Sequence, residues 1–205
     1  MSVSNLANCV ALLGKSGSGK STIIKRLIKA QKPKRLVIWS PDEDEDCYSN
    51  LGCVLVRDIA ELGKTMSKAQ FKVVFWPSLD AQKRKAQFDY FCRLVFAVKN
   101  CFCLVEELRY VTSPTYAPEA WSMLSTRGRK KGVVLYGTSQ RPAQIDKDFL
   151  GNCTEIYCGA LGYPADRKAC ADAMIIDIHD LNELKPLHFI QSHSEGAVRH
   201  IKLTF

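Results

Sequence analysis

Cys9-Val10-Ala11-Leu12-Leu13-Gly14-Lys15-Ser16-Gly17-Ser18-Gly19-Lys20-Ser21-Thr22-Ile23-Ile24 decides the fold. An unbroken apolar run enters a glycine-rich turn. Beyond it, Ile23, Ile24, Leu27 and Ile28 fall on one face of a helix over Ser21–Ala30, opposite Lys25, Arg26 and Lys29. The turn fits G-x-x-x-x-G-K-[ST] in the strand-to-helix context that gives the pattern meaning. Its glycines let the backbone curl so that consecutive N–H groups face phosphate oxygens. The helix N-terminus adds a partial positive charge. Gly14, Lys15, Ser16, Gly17, Ser18, Gly19, Lys20, Ser21 and Thr22 are therefore the expected ATP-binding segment. Lys20 is expected to reach the β- and γ-phosphates, and Ser21 to hold Mg²⁺ through its hydroxyl. A glycine-rich turn without a ligand is the blander alternative, and pattern and context together argue against it.

Working outward, short apolar runs alternate with helical patterns. Strands are expected at Asn8–Leu13, Arg35–Ser40, Cys53–Val56, Lys72–Trp76, Phe102–Glu106, Val133–Ser139 and Glu155–Cys158. Most are continuously apolar, which suits a sheet covered on both faces. Ala81–Lys99 places Phe88, Phe91, Cys92, Val95 and Phe96 at helical spacing, and Pro118 reads as the first residue of a short helix through Thr126. The tail, His188–His193 and Val198–Phe205 about Ser194-Glu195-Gly196, reads as a β-hairpin. The expectation is one α/β domain over residues 1–205, a mostly parallel sheet flanked by helices, with its core over about 8–174 and C-terminal strands over about 187–205.

Composition sets the bounds. The chain has 205 residues, 46% hydrophobic and 24% charged, values that argue against extended disorder. Its net charge of +8 favours a polyanionic partner. The nine cysteines are scattered, an odd number without Cys-x-x-Cys spacing, so reduced intracellular thiols are expected rather than a disulfide framework or a zinc site. The four histidines lack metal spacing, and Trp39, Trp76 and Trp121 read as core or interface anchors. No basic n-region opens the sequence and no apolar run approaches about 20 residues, so neither secretion nor a membrane span is expected.

Two further strand ends narrow the chemistry. Cys101-Phe102-Cys103-Leu104-Val105-Glu106-Glu107 is an apolar strand closing on two carboxylates, as in a Walker B element. Successive side chains on a strand point to opposite faces, so the neighbours can take different tasks. Glu106 is assigned to the Mg²⁺ side and Glu107 to polarising the attacking water, with the exchange of roles left open. A kinase of small molecules has no need of the second carboxylate. Val133-Val134-Leu135-Tyr136-Gly137-Thr138-Ser139-Gln140-Arg141-Pro142 is a buried strand ending in polar residues. Strand C-termini of a parallel sheet converge on the ligand crevice, which would let Gln140 touch the γ-phosphate or orient the water.

The phosphate loop, the Glu-Glu strand and Thr138-Ser139-Gln140-Arg141-Pro142, preceded by Gly128-Arg129-Lys130-Lys131-Gly132, together resemble the FtsK/HerA superfamily of P-loop ATPases. The short length is most similar to the genome-packaging ATPases of tailless viruses with an internal membrane. The resemblance covers roughly Asn8 to Met174. It implies a RecA-like core of the additional-strand type, in which another strand separates the P-loop strand from the Walker B strand. It also implies a ring, usually hexameric, with ATP at subunit interfaces and double-stranded DNA drawn through the centre. The expected activity is ATP hydrolysis coupled to DNA translocation, with a viral genome packaged into a preformed capsid. The expected setting is the host cytoplasm or the packaging vertex of the virion, with capsid-vertex or membrane packaging partners. We expect the ATPase core alone, without the N-terminal membrane anchor or appended DNA-reading domain of larger relatives.

In such rings a neighbouring subunit supplies an arginine, because charge developing on the transferred phosphoryl needs a fixed cation. Arg127 and Arg129 are the candidates, Arg129 favoured by the family's Gly-Arg-Lys pattern, and Arg141 is expected on its own subunit's site. A solvated basic loop or a contact to DNA phosphate is the alternative for the pair. Lys32-Pro33-Lys34-Arg35 and Lys83-Arg84-Lys85 read as solvated faces, either of which could line the channel. The acidic run Asp42–Asp46 reads as a solvated loop or a partner for a basic neighbour in a ring. Gly162–Asp166 reads as a loop that could brush the base or the next subunit. Two other functions remain: a P-loop kinase of a nucleotide or small molecule, and an ATP-dependent phage assembly or extrusion factor.

Overall fold

A computed structural model describes residues 8–41, 48–194 and 196–204. The acidic run Asp42–Asp46 lies outside the described residues, as do Cys47, the hairpin's Glu195 and the terminal Phe205. In chain order the elements are β1 (Cys9–Leu13), α1 (Lys20–Gln31), β2 (Arg35–Trp39), β3 (Val54–Val56), α2 (Ile59–Met66), β4 (Phe71–Phe75), α3 (Ala81–Val98), β5 (Phe102–Val105), α4 (Glu119–Arg127) and β6 (Val134–Ser139). They continue with α5 (Lys147–Asn152), β7 (Glu155–Gly159), α6 (Pro164–Met174), α7 (Ile178–Asn182), β8 (His188–His193) and β9 (Val198–Lys202). All seven expected strands and the tail hairpin form, with ends within a residue or two, except that β9 stops at Lys202. Pro118 is the residue before α4 and not its first helical residue.

The nine strands make one sheet in the order β3-β4-β2-β5-β6-β1-β7-β8-β9. Pairings from β3 to β7 are parallel, and β7–β8 and β8–β9 are antiparallel. β6 separates the P-loop strand β1 from the Glu-Glu strand β5, the arrangement the resemblance implied. Because the strands alternate inward and outward, β1 feeds two cores: Cys9, Ala11 and Leu13 on one face, Val10 and Leu12 on the other.

The first face is covered by the helices that follow β3, β4, β5, β6 and β7, and its centre is aromatic. Trp39 meets Phe88 and Phe91 with ring centroids 5.0 and 5.3 Å apart, and Trp121 meets Phe88 and Phe149 at 5.6 and 5.2 Å. Such pairs add about 0.5–1.5 kcal/mol beyond burial itself. Trp39 and Trp121 are thus the core anchors their sequence setting implied, while Trp76 is half-buried beneath the Arg57 guanidinium. The second face is covered by α1, with Ile23, Ile24 and Ile28 against Leu36, Phe102 and Tyr136. α1 ends where Lys32 adopts a left-handed conformation and its N–H reaches Ile28 O, and Pro33 then bars continuation. α3 starts where the Asp80 side chain accepts from Lys83 N at 2.8 Å. Among the described residues no helix is long and apolar enough to cross a membrane.

Candidate active site

The C-terminal ends of β1, β5 and β6 meet at one edge of the sheet. They enclose a crevice of about 480 Å³ lined by residues 16–22, Glu106, Glu107, Thr138 and Gln140, with Leu187 contributed from the start of β8. The turn after β1 is tied to both neighbouring strands, Gly14 N donating to Ser139 O at 3.2 Å and Lys15 N to Ala160 O at 2.8 Å. Gly17 and Gly19 have φ of 72° and 103°, values that a side chain would resist. A Cβ on Gly19 would also stand 2.8 Å from the Leu203 side chain, so the tail of the chain packs directly behind the loop. The Ser18 hydroxyl is buried without a partner among the described residues. Lys20 Nζ donates to Gly14 O at 2.6 Å and Lys15 O at 3.2 Å, which lays the amine across the loop's mouth.

Glu106 is buried and oriented from the adjacent strand's end. Ser40 Oγ donates to its Oε2 at 2.7 Å and Tyr48 OH to its Oε1 at 2.6 Å. Glu106 lines the crevice beside the phosphate loop. With the Ser21 hydroxyl, this gives a donor set of hard oxygens that fits Mg²⁺.

Glu107 is buried by different means. Its φ of 49° and ψ of 59° are left-handed, at a cost of about 1–2 kcal/mol for a residue other than glycine. The kink ends the strand and keeps both carboxylates on the crevice, where straight alternation would send them to opposite faces. Glu107 N donates to Thr138 Oγ1 at 3.2 Å, Gln140 N donates to Glu107 Oε2 at 3.4 Å, and Arg109 Nε lies 3.4 Å from the same oxygen. Burial pushes the Glu107 carboxyl above its ordinary range. Lys20, the hydrogen bonds from Gln140 and the Arg109 charge oppose the rise without cancelling it.

Every residue expected to bind nucleotide or metal, apart from Gly14 and Lys15 at the loop's base, lines the crevice, together with Glu107 and Gln140. Arg127 and Arg129 do not. They are exposed at the end of α4 and in the turn before β6, at the opposite edge of the sheet from the crevice. Arg141 sits on its own chain: its Nε donates to Asp166 Oδ2 at 2.8 Å and its guanidinium lies 4.0 Å from the Tyr163 ring centroid. Asp166 is fully buried and also accepts from Ala143 N at 3.0 Å, so Gly162–Asp166 braces the Gln140 strand end. Sequence reasoning missed Ser40, Tyr48, Arg109 and Leu187, and it named Asp166 only within a loop that could brush the base or the next subunit, not as the partner of Arg141. Only Arg109 carried a local signal, two residues after the carboxylate it contacts.

No known family model matches the chain. Protein P9 of Pseudoalteromonas phage PM2 is 32% identical over 178 residues, spanning 85% of this chain and 78% of that protein. Among solved structures, the genome packaging NTPase B204 of Sulfolobus turreted icosahedral virus 2, in complex with AMPPCP, superposes with a TM-score of 0.76 over 97% of this chain and 98% of its own, at 17% identity. VirB4 of Thermoanaerobacter pseudethanolicus gives 0.74 over 100% and 93%, at 14% identity. The sequence relative, the shared fold and a crevice built from the loop, the Glu-Glu strand and the Gln140 strand end agree. The chain belongs to the FtsK/HerA superfamily of P-loop ATPases, most like the genome-packaging ATPases of tailless internal-membrane viruses.

Proposed function

We propose that this protein is an ATP-hydrolysing motor that moves double-stranded DNA and packages a viral genome into a preformed capsid, working as a homo-oligomeric, hexameric ring. The observation that carries the reading is the pair of adjacent buried carboxylates facing one phosphate loop, each held by its own set of partners. Backbone N–H groups of residues 16–20 cradle the phosphates, and Lys20 exchanges its loop carbonyls for phosphate oxygens. Ser21 and Glu106 would hold Mg²⁺, which would supply charge neutralisation to the phosphate oxygens. Glu107 orients and deprotonates the water, its raised carboxyl suited to taking up a proton. Gln140 is placed by its backbone N–H on Glu107 to register the γ-phosphate. Arg129, with Arg127, completes the site of the next subunit from the far edge of the sheet.

The +8 net charge supports a polyanionic track, and contacts to the phosphate backbone serve a motor that must move any sequence. The relatives named for packaging support the capsid as destination and the packaging vertex as the place of action. Steady-state phosphate release with Mg²⁺, with and without linear duplex DNA at two salt concentrations, tests the reading. Stimulation by DNA that fades with salt is expected. Phosphate transfer to an added nucleoside with little phosphate released would replace the motor by a kinase.

A further inference from the structure

The phosphate loop leans on a turn far away in the sequence. Lys185-Pro186-Leu187-His188 stands at the entry to β8 and is closed by His188 N donating to Lys185 O at 3.1 Å. Pro186 takes its second position and Leu187, with φ of 66°, its third. With Pro186 trans, this is the arrangement of a type II turn, whose third position favours glycine or asparagine. A leucine stays left-handed only where its surroundings outweigh that local preference.

Those surroundings are the loop and the end of the chain. Leu187 N donates to Ser18 O at 3.2 Å, and Leu187 O accepts from Leu203 N at 2.9 Å. The Arg26 side chain of α1 donates to Thr204 O, so the same terminal segment is tied to the helix that leaves the loop. A Cβ on Gly19 would meet side-chain carbons of Leu203, Leu187 and Phe189 at 2.8, 3.1 and 3.4 Å, and these three close the back of the loop. The bond to Ser18 O fixes one peptide plane. In a trans peptide the carbonyl and the following N–H point in opposite directions, so a carbonyl drawn towards Leu187 turns the Gly19 N–H away from it. Gly19 lines the crevice, and its N–H makes no hydrogen bond among the described residues.

We propose that Leu187 is a positioning residue for phosphate: its backbone N–H, held by the left-handed turn, pins Ser18 O and so presents the Gly19 N–H to the β-phosphate of a bound nucleotide. The proposal rests on the nucleotide-binding reading of the crevice. Leu187 acts through Gly19, and the C-terminal hairpin becomes part of the phosphate site. The leucine in a glycine position is then explained, since its side chain packs behind the loop while its N–H sets the loop's carbonyl.

The test is binding of ADP and of AMP, which lacks the β-phosphate, to the full chain without added Mg²⁺. Leu187→Ile keeps size and apolarity, but its branched Cβ resists a positive φ. It is expected to cut the preference for ADP over AMP about ten-fold. Leu187→Gly accepts the turn and should lose less of that preference. A role in packing alone predicts the opposite order, because Leu187→Gly removes the whole side chain. The wild type supplies a measurement that needs no variant. Coupling between phosphate and turn is reciprocal, so exchange of the Leu187 N–H with solvent should be about ten-fold slower at saturating ADP than at saturating AMP. A Leu187→Ile variant that keeps the wild-type preference, or a Leu187→Gly variant that loses as much, overturns the positioning role. So does Leu187 exchange that is indifferent to the β-phosphate in a wild type that binds ADP. A wild type that binds neither nucleotide overturns the nucleotide reading, and the positioning role with it.

Discussion

The two edges of the sheet are chemically opposite. At the C-terminal edge the connections carry Glu106, Glu107, Asp80 and Asp146, three glycines with positive φ, a left-handed glutamate and a buried hydroxyl without a partner among the described residues. At the N-terminal edge the connections α1–β2, α2–β4, α3–β5, α4–β6 and α5–β7 contain seven Lys or Arg residues and no Asp or Glu. Backbone strain does not separate the two, since Lys32, Lys99 and Asn100 at the second edge have φ of 46°, 56° and 41°. Buried charge does: Glu106 and Glu107 are buried at the first edge, and the second is cationic.

Substitutions at each edge sharpen that contrast. Lys20→Ala removes the cation from the crevice and should abolish nucleotide affinity and turnover together, with turnover down by at least about 10³-fold. Glu107→Gln should leave ATP binding intact and slow hydrolysis by about 10²–10³-fold. Retention of the normal rate would show that Glu107 is not the water-polarising carboxylate.

Arg129→Ala tests the other edge. Alone it should bind ATP as the wild type does and hydrolyse slowly. Mixed in equal amounts with Lys20→Ala, it should regain up to about a quarter of wild-type turnover, half of the sites meeting half of the intact arginines. Failure to complement would confine the arginine to its own subunit or to DNA.

The smallest effect concerns stability. The Glu107 carboxyl is raised in the folded chain, so its contribution is favourable at low pH and is lost as pH rises through the folded value. At neutral pH a buried charge remains, and Glu107→Gln should raise the unfolding temperature by about 1–3 °C. The gain should vanish once the pH falls below the ordinary value of 4.5. A gain that persists at that pH would assign the stabilisation to packing.

The acidic edge was largely legible in the sequence and the basic edge much less so. Strand, glycine loop and helix are contiguous over Cys9–Gln31, and their pattern carries its own mechanism. The Glu-Glu and Gln140 strand ends were legible for the same reason, since strand C-termini share one edge. The groups that hold Glu106 were not, because Ser40 and Tyr48 lie 66 and 58 residues away and become neighbours only when β2 pairs with β5. α2 was overlooked because it spans only eight residues, although Asp58 caps it with bonds to Ala60 N and Glu61 N. The Arg141–Asp166 brace depends on α6 docking beside the turn after β6, a tertiary contact that no local pattern announces. Arg127 and Arg129 were legible as residues, but only the topology puts them on the far edge.

The central claim is that hydrolysis at one edge moves duplex DNA. Displacement of a labelled third strand from a duplex carrying a triplex block tests it most directly. The account predicts ATP-dependent displacement by the wild type and none by Glu107→Gln at equal DNA occupancy. ATP hydrolysis stimulated by duplex DNA, with the third strand left in place by the wild type, would contradict it.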